Sequence, residues 1–384
     1  MAVQSFRAQV PQAQLEDLRD RLARTRWPDE VEGAGWDYGT NRGYLKSLAE
    51  YWADGFDWRK QEEQINRFPN YRGVIDGLGI HFIWEKGKGR NNLPLLLLHG
   101  WPGSFLQMAK IIPLLSDPER YGGRPEDSFD VVAASLPGYG FSDRPRAKGV
   151  TIQRMAELLF QLMTRELGYG KFAVRGSDIG AGVAREMALA HPDTLVGLHL
   201  SGSSPYIPFV PTDLSEAEQK YLRDSRRYVM QEGAYAMEQA TKPQTLAYGL
   251  NDSPVGLAAW IVEKFRSWSD CGGDVEQRFT KDELLANITL YWLTETMASS
   301  VRVYYETGRM VRKDFGSRVM VPTAMAMFPR DLMTAPREWE ERFYRIIRWT
   351  PMPRGGHFPE MEEPGLLVGD IRRSAALWYL AVGR

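Results

Sequence analysis

Arg175-Gly176-Ser177-Asp178-Ile179-Gly180 reads as the end of a buried strand that turns sharply into a helix, with a carboxylate at the tip of the turn. Glycines at 176 and 180 allow the crowded backbone of a nucleophile elbow, a bend that more commonly presents serine. An aspartate in this place needs no base to become a nucleophile, because a carboxyl with an ordinary pKa near ~4 is already ionised at neutral pH. It suits attack on a saturated carbon, which leaves an ester. Resolving that ester takes three further parts: a base to activate water, an acid to orient the base, and backbone donors for the oxyanion formed on the way.

Each part has a candidate. Of the five histidines, His81 alternates within an early strand, His191 precedes Pro192 at a helix end, and His199 lies inside an apolar run, so core or surface roles fit these three. His357 differs: it follows Arg354-Gly355-Gly356 in a loop after the last strand-like run and precedes the acidic stretch Glu360 to Glu363. That late position suits a base in the chain order nucleophile, acid, base. The acid belongs between them, and Phe328-Pro329-Arg330-Asp331 places Asp331 there, with a helix N-cap as the competing use of that aspartate. The expected oxyanion donors are the amides of Ile179, next after the nucleophile, and of Trp101 in His99-Gly100-Trp101-Pro102-Gly103-Ser104, where Pro102 has no N–H to give.

These residues need a scaffold. Pro94 to Leu98, Phe129 to Ala134, Phe172 to Val174, Leu195 to Leu200 and Val319 to Met327 are continuous apolar runs separated by helical stretches. This is the pattern of an α/β fold, with a mostly parallel sheet buried on both faces and flanked by helices. From about 205 to 316 the strand pattern stops. Ser253-Pro254 starts a helix with Leu257, Ile261, Phe265 and Trp268 on one stripe, and Thr280 with Glu283 forms a capping box for another. A helical insert at the carboxyl edge of the sheet would form a lid that keeps water out. Residues 1–90 read as a clasp outside the wound sheet. In it, Leu15, Leu18 and Leu22 mark one helix and Leu45, Leu48 and Trp52 a second, followed by antiparallel strands around a turn at Asp76-Gly77. The expected division is therefore a clasp at 1–90, a core at 91–204 and 317–384, and a lid at 205–316.

Composition narrows the partners. A formal net charge of -1 provides no field for nucleic acid or anionic lipid, so a neutral small molecule is the expected substrate. One cysteine, Cys271, excludes an internal disulfide and a cysteine metal cluster, and points to the cytoplasm. The N-terminal stretch turns polar at once, with neither a signal-peptide core nor a spanning segment, so no membrane anchor is expected.

Several motifs together resemble one family. They are Asn66-Arg67-Phe68-Pro69-Asn70-Tyr71, HGWPGS from His99, Leu136-Pro137-Gly138-Tyr139-Gly140-Phe141-Ser142, RGSDIG from Arg175, and Arg354-Gly355-Gly356-His357-Phe358. Over nearly the whole chain this resembles the α/β-hydrolase-fold epoxide hydrolases of the microsomal and juvenile-hormone type. Leu250 to Trp268 looks like a further signature of that family. The resemblance implies that a small apolar or aromatic epoxide is hydrolysed to a vicinal diol through a covalent ester on Asp178, with water as the second substrate and no cofactor or metal. It also implies two lid tyrosines that hydrogen-bond the epoxide oxygen. Tyr235, followed by Gln239, Thr241, Lys242 and Pro243, matches one, and Tyr304, after Ser299, Ser300 and Arg302, matches the other; a one-residue slip would exchange Tyr304 for Tyr305. A phenol with a pKa near ~10 can donate to an alkoxide without itself being ionised at neutral pH. A homodimer, and a role in detoxification, hydrocarbon catabolism or natural-product biosynthesis, are further implications of the family. The nearest rival is a haloalkane dehalogenase, which shares the aspartate but commonly has tryptophan directly after it, where this chain has Ile179.

Overall fold

The five apolar runs become the centre of a single sheet in the computed structural model, which describes residues 3–202, 210–310 and 316–381. Among the described residues the strands are β1 (Gln4–Ser5), β2 (Asn70–Ile75), β3 (Leu78–Glu85), β4 (Leu93–Leu98), β5 (Phe129–Ala134), β6 (Phe172–Ser177), β7 (Leu195–Ser201), β8 (Val319–Met327) and β9 (Tyr344–Pro351). Their spatial order is β1-β2-β3-β5-β4-β6-β7-β8-β9. The pairs from β5 across to β9 are parallel, as expected of strands whose residues are apolar on both faces.

The strands of the leading segment extend this sheet instead of standing outside it, while its helices Gln12–Ala23, Arg42–Asp54 and Trp58–Ile65 pack against helices of the insert between β7 and β8. Asp76 (φ 47°) and Gly77 (φ 80°) form the two-residue turn of the β2–β3 hairpin, both with the positive φ that a type I′ turn requires. β3 then pairs antiparallel with β5 and extends the sheet, because Ile80, Phe82 and Ile83 are all buried and the strand is covered on both faces. At the far edge the structure adds β9, where no strand was expected. Its Arg345 and Arg348 interrupt the apolar pattern, and most of its residues are only half-buried, as suits an edge strand.

Between β7 and β8 the described chain is helical: Glu216–Glu232, Ala234–Thr241, Pro243–Asp252, Pro254–Trp268, Lys281–Thr294 and Met297–Gly308. The start signals act as the sequence implies. Ser253 caps its helix by accepting from the Gly256 amide at 3.0 Å. Thr280 accepts from Glu283 N at 3.2 Å while the Glu283 carboxylate accepts from Thr280 N at 2.9 Å, which satisfies two donors that a bare helix end would leave open. Leu257, Ile261, Phe265 and Trp268 are buried, and each such side chain taken from water stabilises the lid's seat by about 1.5–3 kcal/mol.

Candidate active site

Asp178 begins the helix Asp178–Ala190 directly after β6 and holds a left-handed backbone with φ 50°, rare for a residue with a side chain. Its neighbours explain how the bend is tolerated. A Cβ at Gly176 would lie 2.5 Å from the Gly180 carbonyl oxygen, and one at Gly180 would meet the Leu98 and His99 carbonyls of β4 and its following loop. A Cβ at Gly100 would overlap the Asp178 side chain, so the loop after β4 can approach the carboxylate only because residue 100 has none.

That approach brings donors to the carboxylate. The Trp101 amide donates to Asp178 Oδ1 at 2.9 Å, and the Ile179 amide also bonds the Asp178 carboxylate. The other oxygen, Oδ2, faces His357 Nε2 at 3.6 Å, too long for a hydrogen bond. On the far side of the imidazole, Nδ1 lies 2.7 Å from Asp331 Oδ1. Asp331 is no helix cap: the next helix starts at Arg337, with Pro336 in the capping position. The Asp178 side chain keeps 17% of its surface accessible against 7% for His357 and 6% for Asp331, so the carboxylate can be reached while the pair behind it is dry.

Electrostatics follow from this placement. Burial pulls the His357 imidazole down, but the charge and hydrogen bond of Asp331, with the charge of Asp178, outweigh burial and hold it at about 9. Burial raises the Asp178 carboxyl, while the His357 charge and the Ile179 and Trp101 amides act in the opposite direction. Both lid tyrosines sit well above the ordinary phenol value, first through burial and then through neighbouring phenols and the Asp178 charge; for Tyr235 a hydrogen bond with Tyr304 offsets part of the rise.

The lid delivers those two phenols to the elbow. Tyr235, on the helix Ala234–Thr241, stacks on the Trp101 indole with centroids 5.3 Å apart and an 8° interplanar angle. Tyr304, on the helix Met297–Gly308, meets the same indole edge-on at 6.1 Å and the Tyr235 ring at 6.2 Å. Tyr305 points elsewhere, under the Arg309 guanidinium at 3.5 Å. The register that pairs Tyr304 with Tyr235 is therefore the one the fold adopts. All seven residues singled out from the sequence, Asp178, His357, Asp331, Trp101, Ile179, Tyr235 and Tyr304, converge here.

Other residues that hold the site were not singled out. The acidic stretch after His357 is a set of clamps: Glu362 accepts from Gly356 N at 3.0 Å, Phe358 N at 2.9 Å and Asp270 N at 2.8 Å, and the His357 amide donates to the Trp268 carbonyl at 2.8 Å. The end of a lid helix and the imidazole loop are thus one hydrogen-bonded unit. Beneath the elbow, the fully buried Arg175 donates to Gly176 O at 2.6 Å and to Glu360 Oε1 at 2.8 Å, tying β6 to the same loop. Three glutamates within four positions after a glycine-flanked histidine were the available signal. No group of three or more His, Cys, Asp or Glu among the described residues is arranged to hold a metal ion, and no helix among them is long and apolar enough to cross a membrane.

Comparison with known proteins adds an independent line. Residues 3–108 match the family model for the epoxide hydrolase N terminus, and residues 94–248 match that for the alpha/beta hydrolase fold. A relative from Stigmatella aurantiaca is 45% identical over 370 residues, spanning 96% of this chain and 83% of its own. Epoxide hydrolase 1 of Sus scrofa is 38% identical over 408 residues, spanning 98% and 89%. Among solved structures, juvenile hormone epoxide hydrolase of the silkworm Bombyx mori superposes with a TM-score of 0.86 at 30% identity, over 99% of this chain and 94% of that one. Aspergillus niger epoxide hydrolase gives a TM-score of 0.86 at 30% identity, over 98% and 97%.

Proposed function

Because this chain belongs to the epoxide hydrolase family of the α/β-hydrolase fold, and so is a hydrolase acting on ether bonds, we propose that it opens an epoxide to a vicinal diol through an ester on Asp178. The observation that carries the reading is the asymmetry of the Asp178 carboxylate. Oδ1 accepts from the Trp101 amide at 2.9 Å, while Oδ2 faces the imidazole at 3.6 Å; the Ile179 amide bonds the same carboxylate. Oδ2 attacks a ring carbon; the carbon–oxygen bond of the epoxide breaks, and its electron pair moves to the oxygen, where Tyr235 and Tyr304 donate hydrogen bonds. Oδ1 becomes the ester carbonyl oxygen without leaving the Trp101 amide.

The second half-reaction uses the same donors. His357, oriented through Nδ1 by Asp331, takes a proton from water as that water attacks the Asp178 carbonyl carbon. The oxyanion develops on Oδ1, where loss of one such donor typically costs about 3 kcal/mol of barrier. Collapse releases the diol and restores the carboxylate. Over the cycle one water is added across one carbon–oxygen bond, and the alkoxide gains the proton that the imidazole relay supplies.

Two paired phenols favour an oxygen leaving group over halide, which sets this reading above dehalogenation. The rings of Tyr235, Trp268 and Tyr304 cluster on the indole of Trp101, whose amide holds Asp178, so the substrate we favour is a small apolar or aromatic epoxide. The buried lone thiol of Cys271 fits a reducing compartment, and we place the protein in the cytoplasm. The test is His357→Gln with styrene oxide. It is expected to gain the mass of the epoxide on an Asp178-containing peptide, because alkylation survives and hydrolysis does not. Turnover at the native rate with no adduct would reject the ester.

A further inference from the structure

One cation is buried in the lid where a lysine is seldom found. Lys264 lies on the helix Pro254–Trp268, one turn after Ile261 on the face that packs inward, and keeps 7% of its surface exposed. Its ammonium pairs with Glu263 and stands over two rings, 4.9 Å from the Tyr235 centroid and 5.8 Å from that of Trp268. Trp268 in turn meets the His357 ring edge-on at 5.1 Å. Burying an ammonium is costly unless its surroundings compensate, and here one carboxylate and two π-faces do so. A leucine or methionine would fill the same space at no such cost, so the charge itself needs a reason.

Resting on the reading above, we propose that Lys264 is a positioning residue that acts through the Tyr235 ring to stabilise negative charge as it arrives on the departing epoxide oxygen. During alkylation one unit of negative charge leaves the core side of the site, where the Asp178 carboxylate becomes a neutral ester, and appears on the lid side, between the two phenols. Tyr235 responds by giving up proton density. A cation over its face stabilises the electron-rich ring that results, and does so more in the transition state than in the ground state, which is the condition for accelerating a step. Low polarity around the ring keeps the effect from being screened. The anions facing Tyr235, Asp178 and Glu263, act in the opposite sense, and the Lys264 ammonium stands over the ring face at 4.9 Å. In the hydrolysis step the charge develops on Asp178 Oδ1, away from Tyr235, so Lys264 has little to contribute there.

The experiment is single-turnover rapid quench with styrene oxide, following formation and loss of the Asp178 ester separately by mass spectrometry. Lys264→Met is expected to slow ester formation about ten-fold, with ester hydrolysis changed by less than about two-fold, and Lys264→Arg is expected to restore most of the loss. In the Tyr235→Phe background, where Tyr304 still serves the oxygen, Lys264→Met should slow ester formation by less than about two-fold, because its route through the phenol is gone. Glu263→Gln, at a partly exposed position, reads the same effect with opposite sign and does not depend on Lys264→Met folding: it should raise the rate of ester formation two- to three-fold, on the order expected for removing a partly screened charge. Equal slowing by Lys264→Met in both backgrounds, equal loss in both half-reactions, or a slower Glu263→Gln enzyme would each overturn the proposal. A failure of the ester reading is distinct, since no Asp178 adduct would then form in any variant.

Discussion

The His357 imidazole should change its proton affinity within each catalytic cycle, and the size of the change can be worked from one distance. In the resting enzyme it is held at about 9, burial being outweighed by Asp331 and by the Asp178 charge, with Nε2 3.6 Å from Oδ2. It is therefore mostly protonated at neutral pH and is no base. Alkylation converts Asp178 to a neutral ester and deletes one of the attractions. At an effective dielectric of about 20, two unit charges this close attract by about 4 kcal/mol, which at 1.36 kcal/mol per pH unit is at most ~3 units. The sign is fixed: removal of an anion lowers the affinity, so the imidazole becomes a competent base only after the ester exists. Ester hydrolysis, measured by single turnover from pH 5.5 to 10, should rise with pH to a plateau, with its inflection below 9 by as much as ~3 units. Asp331→Asn should move the inflection lower still while slowing the plateau, since burial then acts on an imidazole that has lost its main raising partner. An inflection at 9 or above, or a rate that falls as pH rises, would refute the reasoning.

Two further outcomes test how the fold builds the site. Tyr304→Phe should slow ester formation by about 10- to 100-fold through loss of one donor to the leaving oxygen, whereas Tyr305→Phe, whose ring stays under Arg309, should leave both half-reactions unchanged; the same rapid-quench assay reads both. Gly180→Ala should destabilise the protein by about 1–3 kcal/mol in chemical denaturation and disproportionately slow ester hydrolysis, because the added methyl presses on the carbonyls of Leu98 and His99 and shifts the loop that carries the Trp101 donor.

The site was more legible in the sequence than the sheet, and the reason is physical. An elbow leaves a local trace, since the glycines at 176 and 180 are demanded by close backbone contacts and the glycine at 100 by the Asp178 side chain that packs against it. Parallel strands buried on both faces also leave a local trace, as the runs that became β4 to β8 do. Edge strands do not: β1 is two residues long, and β9 mixes arginines with apolar residues because solvent reaches one side of it. Where charge is buried the local trace misleads. Read as a pattern, Leu257, Ile261, Phe265 and Trp268 define the inward stripe and Lys264 is skipped as polar, yet it belongs to that stripe by position and by burial. Glu360 and Glu362 show in the sequence only as part of an acidic run, and the fold closes them inside the imidazole loop, their partners being an arginine on β6 and three backbone amides. A buried charge is stable only with its partners, and those partners are remote in sequence: Glu360 and Arg175 are 185 positions apart. Periodicity sees neighbours three or four residues away, so it registers such groups as surface. Charged residues on an otherwise apolar stripe, or packed beside a nucleophile or base, are accordingly where a reading from sequence should expect to be corrected, and in this chain they hold the imidazole loop, the elbow and the lid phenol in place.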